Sequence, residues 1–329
     1  MMGEIPFSIP AKFAAGLAEG NLMRFGTIIK DVGSGRIVAH VQETGLLQNL
    51  VGNVVGFPFS PISAVSSLGT NMQLAVVTKM LASLQILQIA NLGLSLTGIG
   101  VSMVGFQMMS KRFDGIQSQM SSLAKNMEYQ FFELKEREFR LHQSYVNSLL
   151  TDAGTALLYS GSNSQTEWLR VSSGLGLEAS FYQREVEHLL TLQQFDENVF
   201  RDLVQLFSIC STARIKCLLL ANELPAAKKE SENIAKQYNL TFDHISPLCL
   251  AKQTMGREEG ASQSYDQRLR VKLPASKKLV SDIRDAQDSA LCKPLLIECL
   301  IEKGISGREF LKQLDAETSE PIVCLETQK

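Results

Sequence analysis

Four histidines, six cysteines and a few paired carboxylates are the residues of this chain best suited to chemistry. His40, His142, His188 and His244 stand far apart, and no H-E-x-x-H or Cys/His zinc spacing accompanies them. They read as surface or locally satisfied side chains. Cys210, Cys217, Cys249, Cys292, Cys299 and Cys324 form no C-x-x-C pair. Two pairs, Cys210/Cys217 and Cys292/Cys299, are seven apart, which puts each pair on one helix face as buried, reduced thiols. Glu298 and Glu302 share a face at i, i+4, but two carboxylates alone are a weak metal signal. Gly33-Ser34-Gly35 lacks the G-x-S-x-G spacing of a nucleophile elbow and the Gly-Lys-Ser/Thr of a phosphate loop, so it reads as a turn. Gly98-Ile-Gly100 followed by Gly105 does not match G-x-G-x-x-G and lies in a helical pattern, where packing or membrane contact is the better reading. The charge clusters at 133–140 and 228–232 fit solvated helix faces, and Met108 and Met109 fit packing. No catalytic residue, metal ligand or cofactor site is assigned from sequence.

The elements that must carry these residues differ along the chain. Of 66 charged residues in 329, nine fall in the first 110 and 57 in the remainder. From Thr44 to Ser110 the only charge is Lys79. The net charge of −2 argues against a dedicated nucleic-acid binder. Pro6, Pro10 and Glu4 spoil any secretory leader, so the expectation is cytoplasmic synthesis with association at the inner membrane.

The spacing predicts a mainly α fold. Strands are expected at 23–30 and 36–43, joined as a small N-terminal β-hairpin. The stretch 45–69, with Gly52, Gly56, Pro58 and Pro61, reads as an apolar connector. A long apolar helix follows and passes into a coiled-coil-like helix reaching about Leu150. Leu134 and Leu141 keep its seven-residue repeat, while Gln130 and Arg137 interrupt the seam. A C-terminal helical bundle completes the chain, with helices over 197–222, 225–238, 277–302 and 307–314 and a last strand at 322–325. Ser164/Glu167 and Ser306/Glu309 have capping-box spacing, and Gly174 and Gly176 are expected to interrupt a helix. Three regions result: 1–50 with the hairpin, 51–150 with the connector and long helices, and 151–329 as the helical domain.

Met80–Ser110 is 31 residues without a charge, about 46 Å as continuous helix and long enough to cross a bilayer. Lys111-Arg112 would then sit among headgroups. The membrane-contact residues are Leu92, Leu94, Leu96, Gly98, Ile99, Val101, Val104 and Phe106. Gln85, Gln88, Asn91 and Gln107 are unwelcome in lipid, and a central helix of a soluble bundle or an oligomer interface would show the same lack of charge. After Lys111, Phe113, Ile116, Met120, Leu123 and Met127 form an apolar seam for self-association.

The stretch QIANLGLSLTGIGVSMVGF, Gln88–Phe106, with the heptads beginning at Phe113, resembles uncharacterised bacterial proteins that carry a Gly-rich apolar helix followed by a coiled coil. The resemblance covers about a quarter of the chain and implies no established activity. In pattern alone, an apolar head on long helices is also similar to helical pore-forming proteins. The expected function is that of a non-enzymatic membrane-associating protein, a pore-forming toxin or defence effector. The alternative is a soluble oligomeric scaffold or partner-binding protein with the apolar segment buried, and an enzyme with an unfamiliar site stands third. Expected partners are a membrane, further copies of the chain, and a protein docking on the C-terminal domain.

Overall fold

The computed structural model describes residues 11–25, 28–43, 130–157, 162–255, 264–316 and 322–326. These residues are mainly helical, with a small antiparallel sheet. Helix α1 (Ala11–Ala18) precedes β1 (Leu22–Phe25), β2 (Ile28–Asp31) and β3 (Ile37–Glu43). The stretch read as one strand over 23–30 is therefore two. β1 turns back on β2 with Phe25 opposite Ile28. Alternation of apolar residues continues through that reversal, so periodicity alone hides it.

β2 and β3 form the expected hairpin, with Ile29 opposite Ala39. Its turn is built by Asp31, whose Oδ1 accepts from the Ser34 amide and hydroxyl, each at 2.7 Å. Those hydrogen bonds hold the Asp31 carboxyl below its usual range. Gly35 has φ +68°, a conformation that favours glycine. The last strand, β4 (Ile322–Glu326), pairs with β3, Val41 opposite Cys324, so the sheet joins the two ends of the sequence. Phe13, Ile29, Ala39 and Val41 make its small core.

The helical body comprises α2 (Gln130–Ala156), α3 (Ser162–Thr191), α4 (Glu197–Leu220), α5 (Leu224–Phe242), α6 (Pro247–Thr254), α7 (Tyr265–Glu302) and α8 (Gly307–Ala316). α2 and α3 run antiparallel, tied by Asp152–Arg170 at 2.6 Å near one end and His142–Glu178 at 2.9 Å near the other. α4 lies at the centre. Its apolar window is 89% buried, although its length and composition would suffice to cross a membrane. Phe200, Phe207, Trp168, Tyr182, Phe242 and Phe310 are fully buried around it, each contributing roughly 1.5–3 kcal/mol of burial free energy.

The helix starts follow ordinary capping chemistry. Asp196 accepts from the amides of Asn198 and Val199 to open α4. Pro225 occupies the first turn of α5, as expected. Ser306 accepts from the Glu309 amide at 3.4 Å to open α8. Ser164 does not cap a helix. It lies inside α3 and accepts the indole N–H of Trp168 at 3.1 Å. The capping box of α7 is instead Ser264 with Gln267. Pro274 and Pro294 both lie within that helix.

Gly174 and Gly176 do not interrupt α3, which runs unbroken to Thr191. A Cβ on Gly174 would lie 2.8 Å from the Leu149 side chain, and one on Gly176 2.0 Å from Arg214 Nη1. Here glycine allows close approach of α2 and α4, and packing outweighs its roughly 1 kcal/mol cost in helix propensity. Leu141, which keeps the seven-residue repeat, is 65% exposed in the single chain. The buried face of α2 runs instead through Gln143, Val146, Leu149, Leu150 and Ala153, all within this body.

Candidate functional site

The arrangement closest to chemistry joins α2 and α3. His142 Nδ1 lies 2.9 and 3.1 Å from the two carboxylate oxygens of Glu178. Phe181, three residues after Glu178, stacks on the imidazole with centroids 3.6 Å apart and planes at 13°. Burial pushes the Glu178 carboxyl up, and the hydrogen bond from His142 opposes that. The carboxylate therefore orients the ring with Nδ1 inward, as an orienting carboxylate does in acid–base sites.

Among the described residues, no nucleophile hydrogen-bonds His142 to complete the pair. Tyr182 and Cys210 lie behind Glu178, and burial together with the Glu178 charge drives both proton affinities upward. Cys210 is fully buried and stays a thiol, the opposite of a reactive cysteine. Sequence spacing offers little warning of the pair, because 36 residues separate its members and neither sits in a motif.

Three of the buried ionisable groups elsewhere with strongly shifted proton affinities are Lys293, Asp202 and His40. Lys293 on α7 is pushed down to about 7 by burial, and its Nζ donates to Thr212 Oγ1 at 3.1 Å. Asp202 on α4 is pushed up to about 7 by burial, and its Oδ2 has no hydrogen-bond partner among the described residues. His40 on β3 is pushed down to about 4, first by burial and then by the Lys303 charge. His40 is thus neither at the surface nor locally satisfied, since its Nδ1 lacks a partner among the described residues. β3 packs it beneath the sheet, where desolvation keeps it neutral.

These groups do not converge. Among the described residues, no cluster of three or more His, Cys, Asp or Glu side chains is placed to hold a metal. Glu298 bonds Lys228 at 2.6 Å rather than acting with Glu302 as a ligand pair. Cys210 and Cys217 are buried on α4, and Cys292 and Cys299 on α7, all as free thiols. An open groove of about 440 Å³ runs between α5 and α7, lined by Glu232, Lys236, Asn239, Leu240, Asp243 and Leu291 among others. Its Leu240 floor is 67% exposed, and its polar rim is of mixed sign.

The membrane-contact residues Leu92, Leu94, Leu96, Gly98, Ile99, Val101, Val104 and Phe106 lie outside the described residues. So do the seam residues Phe113, Ile116, Met120, Leu123 and Met127. No protein-family model, no curated protein and no solved structure matches this chain.

Proposed function

We propose that this chain is a non-enzymatic, membrane-associating helical protein. The carrying observation is the stretch Thr44–Ser110, 67 residues with Lys79 as their single charge, in a chain whose helical body packs an apolar core of its own. The one membrane-length apolar helix among the described residues, α4, is consumed by that core. Its apolarity therefore adds little to the membrane reading, which rests on Thr44–Ser110. In this reading that stretch contacts the bilayer and Phe113–Met127 joins copies of the chain. The helical body from Val146 onward acts as a regulatory or partner-binding module. Val146, Leu149 and Leu150 are spent within the body, so self-association falls to the seam before them.

The finer form of the proposal is a pore-forming toxin or defence effector, made in the cytoplasm and acting at the inner membrane. Fractionation of cells expressing the full chain tests the reading. The protein is expected to sediment with membranes, to resist carbonate extraction and to be released by detergent. Complete recovery in the soluble fraction, with no leakage induced in vesicles, would replace it with the soluble oligomeric scaffold.

A further inference from the structure

Charge along α7 is segregated. Residues 265–278 carry five basic side chains, Arg268, Arg270, Lys272, Lys277 and Lys278, against one acid, Asp266. This happens in a chain of net charge −2. Cations stabilise a helix from its last turn, yet the last turn of α7 holds none. The basic cluster is at the other end, where it opposes the helix dipole.

Three of the five face outward together. Arg270, Lys277 and Lys278 stand at i, i+7 and i+8, on the exposed side of α7 opposite buried Ser276, Leu279, Val280 and Ile283. None of the three has an ion-pair partner among the described residues. Two of the acids at this end of the body are already engaged. Glu197 pairs with Lys272 at 2.8 Å and Arg201 at 2.8 Å, and Asp196 caps α4. Beside the unpaired cations, Val271 is 75% exposed.

We infer that this outer face of α7 binds anionic lipid headgroups, on the strength of three unpaired basic side chains flanked by an exposed valine. The inference rests on the membrane reading above and names the lipid class. Cations on one helix face meet a charged surface together, while an exposed valine beside them suits the boundary between headgroups and acyl chains. A nucleic-acid site would draw on a larger basic excess than this face offers. Each basic residue near an anionic surface strengthens binding by a factor of about five, so three give on the order of a hundred-fold.

The test uses the full chain and two vesicle types, phosphatidylcholine alone and phosphatidylcholine with roughly 30 mol% phosphatidylglycerol. The wild type is expected to partition on the order of a hundred-fold more strongly to the anionic vesicles, with the preference fading as salt rises. The triple variant Arg270→Glu, Lys277→Glu, Lys278→Glu should bind both vesicles equally, at the level of wild type on phosphatidylcholine. The triple variant Arg270→Lys, Lys277→Arg, Lys278→Arg should keep the preference. Far-UV circular dichroism confirms that each variant is folded, as expected for exposed positions. Equal wild-type binding to both vesicles, or a preference that survives charge reversal, overturns the inference while leaving the membrane reading in place. Displacement of the protein from anionic vesicles onto short duplex DNA of equal phosphate concentration also overturns it. Binding to neither vesicle rejects the membrane reading and this inference together.

Discussion

Gly176 on α3 passes so close to Arg214 on α4 that a Cβ at position 176 would stand 2.0 Å from the guanidinium Nη1. The contact explains how a thirty-residue helix holds two central glycines without breaking. The same guanidinium bonds Glu230 of α5 at 2.9 Å through Nη2, so the glycine positions a link across three helices.

Substitution at this contact should cost less than at its counterpart on α8. In Gly176→Ala the obstacle is the end of a flexible side chain, and the loss is displacement of the Arg214–Glu230 pair, about 1 kcal/mol. In Gly307→Ala the new Cβ meets the backbone oxygen of Leu219 at 2.8 Å and its Cα at 3.1 Å, which cannot swing aside. The expected loss there is about 2–3 kcal/mol. Urea-unfolding midpoints of the two variants check the order. Equal or reversed midpoints would show that α8 shifts freely against α4.

Asp202 makes stability depend on pH in a defined direction. Its folded-state value of about 7 lies above the ordinary 3.8. The stability it contributes is full below pH 4 and is lost as pH rises through 7, because the unfolded chain releases the proton first. Asp202→Asn should therefore gain stability progressively from pH 4 to 7. The gain should level off near roughly 3–4 kcal/mol above that. Thermal midpoints across this range decide it, and a gain independent of pH would place the shifted carboxyl elsewhere.

Lys293 is a buried amine with one hydroxyl for company. Its folded-state value, about 7 against an ordinary 10.5, shows that burial opposes the charged form. Lys293→Met keeps the volume and removes the charge. It should raise stability at pH 7 by about 2 kcal/mol after loss of the hydrogen bond to Thr212. A destabilised variant would mean that the ammonium is held by more than the Thr212 hydroxyl.

Much of this architecture was legible in the sequence, for local reasons. Proline at 225, Ser306 before Glu309 and the alternation in Ile37–Glu43 each act within a few residues. Distant pairings were not legible. His142 with Glu178 and Gly176 with Arg214 depend on which helix faces meet. The same holds for His40, which looks unremarkable until the sheet buries it. Leu141 marks another limit, since heptad spacing gives an apolar stripe but not its partner. The outer basic side of α7 combines both kinds of information. Its basic residues are plain in the sequence, but the exposure of three of them is a property of packing.

The seam after Lys111 should join copies of the chain. Phe113, Ile116, Met120, Leu123 and Met127 place apolar groups at alternating intervals of three and four. A single isolated helix cannot bury such a stripe. The double variant Ile116→Asp, Leu123→Asp would place two charges in the contact and should dissociate it. Sedimentation velocity at micromolar concentration, with and without detergent, reads the outcome. A wild type that is monomeric throughout assigns the seam to the chain's own core.

The central claim is that Thr44–Ser110 holds this protein at a membrane, and flotation of the full chain with liposomes tests it most directly. Wild-type protein is expected to float with the vesicles. The variant Gly98→Arg, Val101→Arg places two cations in the middle of the charge-free run, each costing about 2.5–3.5 kcal/mol at a bilayer centre. It is expected to remain at the bottom of the gradient while the helical body keeps its circular dichroism spectrum. Equal flotation of wild type and variant would contradict the account, because the protein would then be anchored by something other than this segment.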